Sequence, residues 1–442
     1  MLQELIVIPH QVGALTVFGP FSWSMILWVI FASGMVAWNY RQNGWSEETR
    51  SSLMVGAIFA MLLAFLLPML EAPDMVALDE GAAPRGLPIR GYGVMMLCGI
   101  VAGVLLAAHR ARQLGLDVDH IYSLTMAMVG SGIVGARAFF VIQYWPSFQK
   151  ARLHETVAEI MKFTEGGLVV YGSLVGSLVA WVAFCWYRKL PVLAVGDIVA
   201  PALMIGLALG RIGCLANGCC YGGVCDAPLP ALSFPQFSAP YVEQLKTGRL
   251  LGLTMVSVER PDGEGANDED AEDESTWEVT NVVAGTIAYE AGVRKGDKVV
   301  RYQVARMNQM KRAENAGDDN AILVALKTKN LKLAYWTFPD LPTKSLPTHP
   351  AQVYSSITAL LLCALAWFAF PFLHKEGAVL ALVLTLYPIS RFLLEWIRID
   401  EISQFGTALT ISQLFSVGIA VGAGCLWVYV LTLSKNRGVF ER

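Results

Sequence analysis

Hydrophobic positions along this chain gather in long, nearly unbroken runs instead of recurring at the periods of 3.6 or 2 that mark half-buried helices and strands. Nine runs stand out: 17–38, 53–70, 92–109, 122–145, 167–187, 192–210, 352–373, 376–396 and 410–432. Crossing a bilayer core of about 30 Å takes roughly 20 residues of apolar helix, and each run is near that length. The pattern predicts an all-α polytopic membrane protein with about nine transmembrane helices. Polar positions concentrate in 240–346, so the chain divides into a first membrane part (1–239), an inserted module (240–346) and a second membrane part (347–442).

Composition sharpens this. Charged residues are 16% of the 442, against about 25% in a soluble domain, and hydrophobic residues are 55%. The insertion holds 14 Lys+Arg and 17 Asp+Glu of the chain's 69 charges, which leaves the membrane parts sparsely charged. A net charge of −3 with no basic run argues against nucleic acid as a partner. Met1–Pro20 contains no Lys or Arg, so the first apolar segment reads as a retained span and not as a cleaved signal peptide. Basic residues follow every odd-numbered span: Arg41 and Arg50, Arg110 and Arg112, Arg188 and Lys189, Lys375, and Lys435 with Arg437 and Arg442. By the positive-inside rule the N-terminus and residues 211–351 lie outside and the C-terminus inside, with Lys150, Arg152 and Lys162 as outer-side exceptions.

The few charges within the spans point to chemistry. Arg137 lies deep in the fourth span, Arg211 ends the sixth, and Arg391, Glu395 and Arg398 share one face of the eighth by their spacing. An ionisable group at the bilayer centre costs at least about 2.5–3.5 kcal/mol, so such residues face a cavity or a partner. Arg391 and Glu395 can satisfy each other as an ion pair, whereas Arg137 and Arg211 have no obvious acidic partner nearby in sequence. Arginine in excess implies an anion supplied from elsewhere, and a phospholipid phosphate suits the guanidinium fork. Gly-rich runs at 166–176 and 206–213 allow close backbone approach, either to a ligand or between helices.

Within the insertion, Leu253–Val258, Lys298–Val304 and Ala321–Leu326 read as strands, while the acidic stretch Glu264–Glu278 reads as a solvated loop. The run Val279–Asp297 resembles a PDZ domain in its order of strand, short helix ending in Ala-Gly, and Gly-Asp turn. That resemblance makes the module a small β-rich, α+β PDZ-like domain. It implies that Leu250-Leu-Gly-Leu253 offers backbone N–H groups to a peptide C-terminus.

Gly210-Arg-Ile-Gly-Cys-Leu-Ala-Asn-Gly-Cys-Cys-Tyr-Gly222 resembles the signature of the prolipoprotein diacylglyceryl transferase family. Further blocks follow in that family's order: Gly91-Tyr-Gly93, Gly135-Ala-Arg137, Gly166-Gly167 with Tyr171-Gly172, Asp197–Pro201, His349–Tyr354 and Arg391–Arg398. The resemblance implies a multi-pass enzyme of the bacterial cytoplasmic (inner) membrane that acts on phosphatidylglycerol and prolipoprotein signal peptides. It would move the diacylglyceryl group onto the lipobox cysteine thiol, form a thioether and release glycerol 1-phosphate. It also implies that Arg211 binds phosphatidylglycerol, with Tyr92, Asn217 and Gly222 as other pocket positions and Arg137 and Arg391 as further membrane arginines.

The sequence departs from that family's better-known pattern at several positions. Tyr171 stands where a histidine often stands, and a phenol with a pKa near 10 abstracts a proton poorly. Cys214 and Cys219 replace Asn and Glu, Thr348 replaces an arginine, and Ser355 replaces a glutamate. The candidate catalytic residues are therefore Arg211, Tyr171 and His349, of which His349 also suits a helix-start role hydrogen-bonded to backbone. Cys214, Cys219, Cys220 and Cys225 match no standard zinc spacing, so no metal and no cofactor is expected. A disulfide such as Cys220–Cys225 and free thiols are both open. An inactive scaffold of the same fold and a small-molecule transporter are the rival readings.

Overall fold

The computed structural model describes residues 4–12, 15–19, 22–69, 86–149, 153–161, 167, 169–225, 230–258, 276–305, 310, 321–328, 333–337, 339–398 and 409–436. Among them are nine helices long and apolar enough to span a membrane. In chain order, β1 (Glu4–Pro9) precedes α1 (Trp23–Asn43) and α2 (Glu47–Met61). Then come β2 (Gly86–Arg90), α3 (Gly91–Gln113), α4 (Val118–Gln143), the short α5 (Leu153–Met161), α6 (Val170–Tyr187) and α7 (Val192–Asn217). The insertion holds α8 (Ala239–Lys246), β3 (Leu253–Val258), β4 (Thr276–Val282), α9 (Ile287–Glu290), β5 (Lys298–Val304), β6 (Val324–Thr328) and β7 (Ala334–Trp336). The chain returns to the membrane with α10 (Ala351–Ala369), α11 (Ala378–Glu395) and α12 (Ile411–Thr432).

Two boundaries differ from the hydropathy reading, each for a local reason. The first span begins at Trp23 and not at 17, because the Ser22 side chain caps it by accepting from the Met25 N–H. The sixth extends from 210 to Asn217, so Arg211 and Cys214 are helical and the outer segment starts at Gly218 instead of 211. Arg, Leu and Ala in this stretch are good helix formers, and Gly218 at φ 76° supplies the left-handed residue that ends the helix.

Helix α7 is the most buried of the spans, with 56% of its apolar window covered. It packs on α3, α10 and α11, while α4 packs on α6 and α11 on α12. The α4–α6 crossing depends on glycine. A Cβ on Gly135 would lie 2.4 Å from the Gly172 carbonyl oxygen, and one on Gly172 would lie 2.3 Å from the Gly135 carbonyl oxygen. These glycines therefore serve helix packing, one of the two uses their spacing allowed. Asp197, fully buried on α7, accepts from the backbone N–H groups of Gly377 (2.8 Å) and Leu380 (2.9 Å) and so caps the start of α11.

The insertion is a five-stranded antiparallel meander, β3-β4-β5-β6-β7. Its core includes Tyr241, Leu245, Leu251, Val279 and Leu326, each fully buried and each aliphatic one worth about 1.5–3 kcal/mol. Strands at 253–258 and 298–304 match the sequence expectation, and the last begins three residues later than expected, at Val324. The order of strand, short helix and Gly-Asp turn is present, with Asp297 accepting from the Arg294 N–H at 2.9 Å. The expected carboxylate-binding loop differs. Its Leu251, Gly252 and Leu253 N–H groups donate to the carbonyls of Gly248, Arg249 and Gly248, so these donors are spent inside the turn. Residues 264–275 of the acidic stretch lie outside the described residues.

Candidate functional site

Strict up-and-down traversal collects the candidate residues at one end of the bundle. Tyr92, Tyr171 and His349 stand at the starts of the third, fifth and seventh spans, while Arg137, Arg211, Asn217 and Arg391 stand toward the ends of the fourth, sixth and eighth. Odd starts and even ends lie on the same side, the side on which the insertion is placed.

Arg211 lines a narrow crevice between α7, α10 and α11 together with Ser355, Thr358, Tyr387, Ser390 and Arg391. Arg391 donates to the Glu395 carboxylate and, at 2.8 Å, to the Ser412 hydroxyl on α12. Arg398 approaches the same Glu395 oxygen at 3.6 Å, and Thr410 donates to the other oxygen at 3.2 Å. Glu395 is 4% exposed, a buried carboxylate that neutralises one guanidinium but not two. Arg211 has no hydrogen-bond or ion-pair partner among the described residues. Two guanidiniums, of Arg211 and Arg391, thus line the crevice, and Glu395 ties the second of them to Arg398 behind it.

The other arginine is placed differently. Arg137 donates to the backbone carbonyls of Ile160 (2.9 Å), Glu159 (3.0 Å) and Gly167 (3.2 Å), and its guanidinium lies 5.5 Å from both the Phe140 and Phe148 rings. It ties the end of α5 and the entry to α6 onto α4, an ordering role that carbonyl acceptors fulfil. A free phosphate site at Arg137 would compete with three backbone bonds.

Tyr171 stacks on Phe415 of α12 with ring centroids 4.3 Å apart and planes 15° from parallel. Phe415 carries no sequence signal for this role, because it lies in a run of apolar residues like any other. Tyr92 packs against α7 at Gly213, whose absent Cβ would sit 3.2 Å from the Tyr92 ring. Asn217 is the exposed last residue of α7.

Gly222 is the knot of the site. Its N–H donates to the His349 carbonyl (3.0 Å), Gly223 N–H donates to Ile397 (2.9 Å), and His349 N–H returns to Gly223 (2.9 Å). The segment after α7 therefore forms a backbone bridge between the start of α10 and the end of α11. His349 fulfils the helix-start expectation with its backbone, while its ring Nδ1 is buried without a hydrogen-bond partner among the described residues. Gln352, also buried, donates to the Cys219 carbonyl at 2.7 Å and fixes the loop from α10. None of the eight cysteines is in a disulfide, Cys220 and Cys225 included, so the disulfide reading is not the state observed.

The model of the prolipoprotein diacylglyceryl transferase family matches residues 82–429. A phosphatidylglycerol–prolipoprotein diacylglyceryl transferase of Rhodopirellula baltica is 30% identical over 462 aligned positions, covering 99% of this chain and 90% of the relative. Enzymes of the same name from Clostridium tetani and Staphylococcus epidermidis are each 32% identical over shorter stretches, 33% and 37% of this chain and 55% and 56% of the relatives. With a family model spanning most of its length and a relative aligned almost end to end, this chain belongs to the prolipoprotein diacylglyceryl transferase family.

Proposed function

We propose that this protein transfers the diacylglyceryl group of phosphatidylglycerol to the lipobox cysteine thiol of prolipoprotein signal peptides. The observation that carries the reading is Arg211, which lines a crevice beside Arg391, has no hydrogen-bond or ion-pair partner among the described residues, and is set within the family signature. In the reaction the thiolate sulfur attacks the glyceryl carbon esterified to phosphate. The C–O bond breaks, its electron pair leaves with glycerol 1-phosphate, and a C–S thioether forms. The thiol proton passes to an acceptor or to water, since the thiolate and not the thiol is the nucleophile. Arg211 and the Arg391–Glu395–Arg398 group stabilise charge developing on the departing phosphate, a task for preorganised donors.

Among the remaining residues, Tyr171 holds the α6–α12 contact by stacking, and its hydroxyl is not the base. His349, with a buried and partnerless Nδ1, is the better proton acceptor among the candidates. Tyr92, Asn217 and Gly222 shape the rim of the pocket, and Arg137 orders the α5–α6 connection beside it. The protein sits in the bacterial inner membrane with the N-terminus outside and the C-terminus inside, as the basic residues at odd exits support. The insertion then faces the side on which precursors arrive, and its PDZ-like order of elements suits an accessory role. The edge of β3 that is unpaired among the described residues, and not the spent amides of its loop, is the place for an extended peptide.

The test is incubation of the purified full chain with phosphatidylglycerol and a lipobox peptide, read by mass. A folded protein that adds no diacylglyceryl mass overturns the enzyme reading and favours the inactive scaffold.

A further inference from the structure

The sulfurs of Cys214, Cys219 and Cys220 all lie within 4.8 Å of one another. Their spacing matches no standard zinc framework, and vicinal cysteines seldom point the same way. The loop overcomes the difficulty through its backbone. Gly218 ends α7 in the left-handed region, Cys220 itself takes φ 58°, and the Cys214 carbonyl accepts from the Gly218 (2.9 Å) and Cys219 (3.1 Å) N–H groups. A non-glycine residue at positive φ is uncommon and marks a conformation its surroundings enforce. Here it brings a third sulfur to the pair, and the buried Gln352 locks the loop through the Cys219 carbonyl.

Three thiolates around an ion at a Zn–S distance of about 2.3 Å stand about 3.8–4 Å apart in tetrahedral or trigonal geometry. The observed cluster needs only a slight contraction to reach that, and all three residues are partly exposed, so an ion can enter. We propose that Cys214, Cys219 and Cys220 bind one soft divalent cation of the zinc class, leaving its fourth position open. Three protein ligands with an open position is the arrangement of reactive zinc sites, whereas structural sites are closed by four.

The location gives the open position a use, and this part rests on the transferase reading. Cys214 follows Arg211 by three residues on α7, which puts both on one helical face, so the cluster adjoins the proposed phosphate site. A thiol that coordinates such an ion is deprotonated outright. The lipobox thiol binds at the fourth position and releases its proton to His349 or to water. Its sulfur then attacks the glyceryl carbon, the phosphate monoester departs with the C–O electron pair, and the neutral thioether, a weaker ligand, dissociates. In this chain the cluster supplies the thiolate where a histidine is replaced by Tyr171.

Metal binding is measured on the full chain in detergent, reduced, stripped with chelator and equilibrated with Zn2+. One zinc per chain is expected, lost in Cys214→Ser and Cys220→Ser and kept in Cys225→Ser. Zinc content equal in wild type and a Cys214/Cys219/Cys220 triple serine variant overturns the site, as does a stripped wild type that takes up none. Loading with Cd2+ tests the open position independently of turnover. The thiolate-to-metal absorption should rise by about a third on adding a lipobox peptide, as three sulfur ligands become four, and stay unchanged with a serine-substituted peptide. No rise overturns the role in thiol binding. Full transfer by the stripped enzyme also overturns that role while leaving the transferase reading intact.

Discussion

A Cβ placed on Gly222 would lie 2.7 Å from the His349 Cβ and 2.9 Å from the His349 carbonyl oxygen, while the Gly222 N–H donates to that same carbonyl at 3.0 Å. On its other side the Ile397 carbonyl oxygen would be 3.1 Å away. No side chain fits between these two backbones. Gly222→Ala should therefore pry α10 from α11 at the site, reducing transfer at least about tenfold and lowering the melting temperature, since overpacking costs typically 1–3 kcal/mol. Unchanged activity and melting would show that the bridge has slack.

Arg211 is the residue on which the phosphate argument depends. Arg211→Ala should lower kcat/KM for phosphatidylglycerol by about 10²–10³-fold, the usual loss on removing one stabilising donor. Arg211→Lys should recover part of this, because it keeps the charge and loses the bidentate fork. Near-normal transfer by the alanine variant refutes the assignment.

Glu395 is buried between Arg391 and Arg398 and accepts from Thr410. Glu395→Gln removes the carboxylate charge that Arg391 and Arg398 share. Loss of one partner from a buried ion pair costs about 3–5 kcal/mol, so thermal unfolding in detergent should shift markedly downward. An unshifted transition would mean that the arginines find other anions.

Tyr171 presents a stack and a hydroxyl that substitution can separate. Tyr171→Phe keeps the ring on Phe415 and should retain activity within about threefold, whereas Tyr171→Ala should lose tenfold or more. A collapse of rate in the phenylalanine variant, with a displaced pH profile, would assign the hydroxyl a proton-transfer role after all.

The insertion carries its own pH signature. Tyr302 donates its hydroxyl to the Leu245 carbonyl at the end of α8, and burial pushes its phenol above the ordinary value. Its contribution to stability is complete below pH of about 10, where the unfolded phenol is still neutral, and is lost as alkali rises toward the folded pKa. Chemical unfolding of the insertion monitored by fluorescence should therefore weaken above pH about 10, and less so in Tyr302→Phe. Parallel pH dependence in both proteins would remove Tyr302 as the cause.

The family assignment and the nine candidate spans were legible in the chain. Spans are one-dimensional objects: about 20 apolar residues either cross the bilayer or do not. Once nine crossings are counted, alternation alone places Tyr92, Arg211, His349 and Arg391 at the same end. Arg211 was also recognisable, because a guanidinium in so apolar a chain needs a reason.

Tertiary structure decided what each of those residues touches. It gave Arg137 three backbone carbonyls, shared Glu395 between two arginines, and left Arg211 without a partner among the described residues. It extended α7 past Arg211, set Tyr171 on a phenylalanine that nothing distinguished in the sequence, and spent the loop amides of the insertion within their own turn. It also turned Cys220 into the left-handed region, so that two vicinal sulfurs meet a third. Hydropathy and motif order are properties of the chain itself, and the sequence determined them alone. Pairing of charges and convergence of sulfurs depend on dihedral angles and on neighbours brought in from distant segments, and only the fold fixes those.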